Sequence, residues 1–148
     1  LYKLYSVETR IQEALSKKVW LKSGGYLVIE PTEALTVIDV NTGKMIAGQD
    51  MEQTYLKINM EAAQEIALQL SLRNISGIII VDFINMRPEE HNLKLMSFFG
   101  NLLKKDPVRT KLEGITALGL VEITRMKKER PLYELLHKGK KENVHETD

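Results

Sequence analysis

The sequence predicts an α/β domain, a mixed sheet of about five strands packed by helices. Three observations carry that expectation. A stretch of helical period from about Asp50 to Arg73 lies between two short apolar runs, 34–40 and 78–83. The second run, Ile78-Ile79-Ile80-Val81-Asp82-Phe83, is apolar except for Asp82 and reads as a central strand buried on both faces. Upstream, the β-rich runs 19–22 and 26–30 are separated by Ser23-Gly24-Gly25, the signature of a hairpin with a three-residue glycine loop.

The elements follow in order. Ser6 can cap a first helix whose apolar face is Val7, Ile11, Ala14 and Leu15. After the hairpin, Pro31-Thr32-Glu33 breaks the chain before the strand 34–40, and Asn41-Thr42-Gly43 supplies a turn. The helix over 50–73 places Ile58, Ala62, Ile66 and Leu70 on one stripe, with Tyr55, Ala63 and Ala67 beside it. Asn74 and Ser76-Gly77 close it. Pro88, Glu89 and Glu90 suit the first turn of a helix running to about Lys105 and carrying Leu95, Phe98, Phe99 and Leu102. A fifth strand is expected over 117–124, a short helix over 131–136, and a frayed polar tail over 139–148.

Length and composition narrow the class. The 148 residues suit one compact domain, and 43% hydrophobic with 28% charged residues is ordinary globular composition. The apolar runs are too short to cross a bilayer, and the N-terminus has no secretory pattern. Cysteine is absent, which excludes thiolate metal sites and is compatible with a reducing cytoplasm. The chain begins at Leu1 rather than Met and reads as a piece of a longer protein. Net charge is +1, but the distribution is uneven. Arg125, Lys127, Lys128, Arg130, Lys138, Lys140 and Lys141 face only Glu129 and Glu134, a pattern shared by phosphate-binding segments and by plain solvated basic surfaces.

The chemistry-bearing feature is a pair of aspartates. Asp39 and Asp82 each lie near the C-terminal end of a hydrophobic run, and one long helix joins the two runs. A strand–helix–strand unit usually sets its strands parallel, which delivers both acids to one edge of the sheet. Two carboxylates there repel unless a cation lies between them, and hard oxygen donors suit magnesium, with manganese as a substitute. Strand-ending aspartates are also common turn formers, so each acid taken singly has a structural explanation. Asn41 adds an amide beside the first acid, suited to a phosphate oxygen. Asp39-Val40-Asn41 also resembles the start of a calcium loop, but Lys44 occupies the glycine position such a loop requires. His91, His137 and His145 have no zinc-ligand spacing, and Trp20 reads as a core or interface residue. Glu61 and Glu122 are further acids within reach of a role.

At these residues the chain resembles the ribonuclease E/G family. The resemblance rests on 19–26 (VWLKSGGY), 32–36 (TEALT), 38–43 (IDVNTG), 59–63 (NMEAA), 72–75 (LRNI), 77–83 and 118–125 (LGLVEITR), in the family's order. It implies a DNase I-like catalytic subdomain in which Asp39 and Asp82 hold one Mg2+ and Asn41 contacts the scissile phosphate. It further implies hydrolysis of single-stranded RNA to 5′-phosphate and 3′-hydroxyl ends, in rRNA maturation or mRNA decay, by a cytoplasmic parent protein that forms homo-oligomers. Candidate RNA contacts are Lys57, Arg125, Lys127, Lys128 and Arg130. The chain departs from the family pattern at Lys57, Asn85, Leu93 and Met126, and the first three motivate an alternative: a non-catalytic RNA-binding or assembly module on the same fold. A third reading is a metal-dependent phosphoesterase acting on a small nucleotide.

Overall fold

The computed structural model describes residues 16–43 and 51–127. The expected helices over 6–15 and 131–136 and the tail over 139–148 lie outside these residues. The strands are β1 (Lys18–Trp20), β2 (Tyr26–Pro31), β3 (Leu35–Asn41), β4 (Gly77–Asp82), β5 (Thr110–Ile115) and β6 (Val121–Arg125). Two helices interrupt them, α1 (Met51–Leu72) between β3 and β4, and α2 (Glu89–Lys104) between β4 and β5. One six-stranded mixed sheet results, in the order β1-β2-β3-β4-β6-β5. Within it β3 and β4 run parallel and the other neighbours antiparallel.

Alternation along the strands divides the sheet into two unlike faces. Leu27, Ile29, Ile38, Val40, Ile79, Val81, Val121 and Ile123 point to one face and are buried. They share a core with Ile58, Ala62, Ile66 and Leu70 of α1 and with Leu95, Phe99 and Leu103 of α2. Both helices therefore cover this face. The predicted α1 stripe is the buried one, each of its four residues at 0% exposure. On the other face, Ile78 is 48% exposed and Ile80 half-buried. The expectation that this strand is buried on both faces is thus corrected: the described helices cover only one.

Local chemistry fixes the turns around this frame. Gly25 has no room for a side chain, since a Cβ would lie 2.8 Å from the Asn41 carbonyl oxygen and 3.0 Å from Ile58. The hairpin loop it closes is tied to α1 by Ser23, whose hydroxyl donates to Glu61 Oε2 at 2.6 Å. Glu61 is thereby committed to holding a loop. At the end of α1, Asn74 adopts a left-handed φ of 50°. The Ile75 N–H donates to the Leu70 carbonyl at 3.0 Å and the Asn74 N–H to Ser71 at 3.2 Å, the bond pair of a Schellman stop. Buried Asn59 acts at longer range. Its side chain donates to the Ile84 carbonyl at 2.9 Å and accepts from the Ile84 N–H at 3.0 Å, clamping the chain as it leaves β4.

The sheet has one strand more than expected. The additional strand, β5, alternates exposed and half-buried residues, so no apolar run announces it, and a bulge between Leu112 and Gly114 disturbs its register. It pairs with β6 through a turn in which the Thr116 N–H donates to the Leu120 carbonyl at 2.8 Å. Residues 117–120, expected within the last strand, form that turn.

Candidate functional site

Asp39 and Asp82 are direct partners in the parallel register of β3 and β4. Neighbouring strands lie about 4.8 Å apart, and both side chains project to the face away from the helices. There they line a groove of about 620 Å³ with Tyr26, Val28, Asn41, Ile80, Leu120 and a third acid, Glu30. Asn41 lies two residues beyond Asp39 on the same face, and its Nδ2 donates to Asp39 Oδ2 at 3.5 Å. The sequence's three candidate catalytic residues thus meet in one groove.

The electrostatics of the pair are unfavourable as they stand. Burial pushes the Asp39 carboxyl above its ordinary pKa, and the charge of Asp82 pushes it further. The Asn41 amide and the Val40 N–H pull the other way without cancelling the rise. Among the described residues neither aspartate is in an ion pair with lysine or arginine. Nor does a third acid or histidine complete a metal-ligand cluster with them. Two adjacent hard-oxygen donors with uncompensated charge fit a divalent cation that takes its remaining ligands from water or substrate oxygens.

The predicted basic contacts behave differently. Arg125 is 3% exposed, and its guanidinium is consumed internally. It donates to both carboxylate oxygens of Asp106, at 2.8 and 3.3 Å, to the Ile75 carbonyl at 3.0 Å and to Asn74 Oδ1 at 3.3 Å. Its assignment as an RNA contact is therefore corrected: a buried, fully bonded guanidinium has nothing to offer a phosphate. Its register partner Gly77 opens β4, whereas Asp82 ends it. The segment leaving β6 thus starts at the far end of the sheet, roughly 17 Å away along the strand. Lys127 is exposed there. Lys57 is exposed on α1, in the layer behind the sheet. Lys128 and Arg130 lie outside the described residues.

One feature escaped the sequence reading, and another is narrowed by the structure. Asn59 positions the chain just beyond Asp82, and its hydrogen-bonding role is invisible in a helical period that counts only apolar residues. Trp20, expected in a core or interface, is 62% exposed beside the groove on the edge strand.

The comparisons with known proteins converge on one family. The model of the Ribonuclease E/G family matches residues 1–128. The chain belongs to the ribonuclease E/G family. It is 46% identical over 136 residues to Ribonuclease G of Escherichia coli (strain K12), covering 92% of this chain and 28% of that protein. Ribonuclease G of Haemophilus influenzae matches with the same identity and shares. Ribonuclease E of Synechocystis sp. is 50% identical over 131 residues, covering 88% of this chain and 19% of that protein. The chain thus spans between a fifth and somewhat over a quarter of the length of these ribonuclease E/G relatives.

Proposed function

We propose that this chain is the metal-binding catalytic subdomain of a magnesium-dependent endoribonuclease, DNase I-like in fold, that hydrolyses single-stranded RNA. The products are 5′-phosphate and 3′-hydroxyl ends, the setting is cytoplasmic rRNA maturation or mRNA decay, and manganese can replace magnesium. The register pairing of Asp39 with Asp82 in an open groove carries this reading. Membership of a family whose relatives are named ribonucleases supplies the substrate class.

In this reading Asp39 and Asp82 hold the cation, and their mutual repulsion is the reason they bind one. Held by Asp39 and Asp82, a divalent ion would supply positive charge for the scissile phosphate and would lower the pKa of an attacking water. Asn41 orients a phosphate oxygen with its amide while its hydrogen bond to Asp39 keeps that carboxylate in place. Asn59 acts behind them, fixing the backbone that follows Asp82.

The departures that motivate a non-catalytic module lie away from this groove. Lys57, Asn85 and Leu93 are all exposed, and none lines the wall that carries the acids. The catalytic reading is therefore preferred. Its test is Asp39→Asn and Asp82→Asn in the full-length parent protein, each checked for native folding by circular dichroism. Loss of magnesium-dependent cleavage of a labelled single-stranded oligonucleotide is expected, and wild-type cleavage by either variant would refute the assignment.

A further inference from the structure

The groove does not end at Asn41. A second cavity of about 690 Å³ adjoins it, sharing Tyr26 and Asn41 and walled by Lys18, Trp20, Gly24 and Gly43. Strand register explains the continuity. Trp20 pairs with Tyr26, and Tyr26 with Asn41, forming one row across three strands. Lys18, Val28, Asp39 and Asp82 form the next row on the same face. At about 4.8 Å per strand, Trp20 stands roughly 10 Å across the sheet from the strand that carries Asp39.

The side chains where β1 meets β2 on this face form an aromatic pair with a cation beside it. The Trp20 and Tyr26 rings lie 5.2 Å apart, tilted by 54°. The Lys18 ammonium sits 4.3 Å from the Trp20 ring centroid and 4.2 Å from that of Tyr26. Trp20 nevertheless keeps 62% of its surface in water. An exposed indole, a second ring and a cation on the wall of a concave site are what stacking of an unpaired base beside a phosphate requires.

We propose that Trp20, Tyr26 and Lys18 form a nucleobase-stacking subsite, holding a base about one or two nucleotides from the phosphate at Asp39 and Asp82. The occupant is a base of the single-stranded substrate, so the proposal rests on the endoribonuclease reading of the groove. Charge supports this occupant over an apolar protein segment. A polyanion passing two aspartates needs nearby positive charge, and Lys18 supplies it in the same row. Stacking is tolerant of sequence because every base presents a π face, so the subsite sets position along the strand rather than base identity.

Trp20 is the only tryptophan of the 148-residue chain, so its fluorescence reports on this site alone. The experiment titrates the full chain with a single-stranded RNA oligonucleotide in EDTA, where cleavage does not interfere. An abasic strand of equal length and charge is the control. Saturable quenching by the RNA and little by the abasic strand is expected. In anisotropy with a labelled oligonucleotide, Trp20→Ala should weaken binding about five- to hundredfold, and Trp20→Phe should restore most of it. Because the indole is exposed, both variants should fold, which circular dichroism checks. Absent quenching, equal quenching by the abasic strand, or unchanged affinity of Trp20→Ala would overturn the subsite. Quenching is read without metal, so failure here is distinct from failure of the metal site. The latter shows as continued cleavage by Asp39→Asn or Asp82→Asn.

Discussion

Two carboxylate sites in this molecule meet the cost of leaving water in opposite ways. Asp106 is buried against Arg125, with side-chain exposures of 6% and 1%. Burial alone would raise its pKa. The Arg125 hydrogen bonds, the Val108 N–H, the Thr110 hydroxyl and the Arg125 charge outweigh it and hold Asp106 below its ordinary value. Asp39 is half-buried beside another acid, and burial followed by the Asp82 charge holds it above its ordinary value. The first site closes the end of α2 onto β6 and is complete within the chain. The second is left with an unbalanced charge facing an open groove. A fold that can saturate one aspartate so thoroughly leaves the other pair uncompensated, and on the proposed reading that contrast separates a structural acid from two metal ligands.

The largest expected effect is on chemistry. In the full-length protein, Asp82→Asn should lower magnesium-dependent RNA cleavage by on the order of a thousandfold or more, measured as initial rate on a labelled oligonucleotide. Asp106→Asn should leave that rate close to wild type wherever the protein is folded. Comparable losses in both would erase the distinction between the two sites.

The next effect falls on stability and reverses the ranking. Asp106→Ala strands the buried Arg125 guanidinium and should cost about 3–5 kcal/mol in urea unfolding. That is a large share of the roughly 5–15 kcal/mol typical of a domain. Asn59→Ala should cost less, about 1–3 kcal/mol, by leaving the Ile84 N–H and carbonyl without partners. A neutral outcome at Asp106 would mean that its pairing contributes little to the fold.

The smallest effect has opposite signs at the two sites. Asp106, with its lowered pKa, contributes stability that is present above the ordinary carboxylate range and is lost as pH falls through its folded-state value. Asp39, with its raised pKa, contributes stability that is present below the ordinary carboxylate range and is lost as pH rises through its folded-state value. In metal-free buffer, Asp39→Asn should therefore raise the unfolding midpoint at neutral pH, and the gain should vanish in acid. A variant less stable than wild type at neutral pH would contradict the repulsion inferred between Asp39 and Asp82.

The same contrast explains what was legible in the sequence. Asp39 and Asp82 could be found because each interrupts a hydrophobic run, and one helix between the runs implies a parallel pair. The α1 stripe was legible because burial repeats with helical period. Arg125 was misread because charge along a sequence does not reveal the partner, here Asp106, that neutralises it in space. Strand β5 was hidden because an edge strand with Lys111 and Glu113 exposed carries no apolar signature. Of the two places expected for Trp20, the core is excluded because topology puts the residue on a sheet edge, where an apolar side chain stays exposed.

The central claim is that Asp39 and Asp82 hold a divalent cation between them. It is tested most directly by titrating the chain with Mn2+, reading free and bound ion by electron paramagnetic resonance in parallel with Asp39→Asn, Asp82→Asn and Asp106→Asn. One saturable site is predicted for wild type and for Asp106→Asn, displaced by magnesium and weakening as pH falls and protons compete for Asp39. It should be lost in both groove variants. Binding of equal strength in wild type and Asp82→Asn would contradict the account.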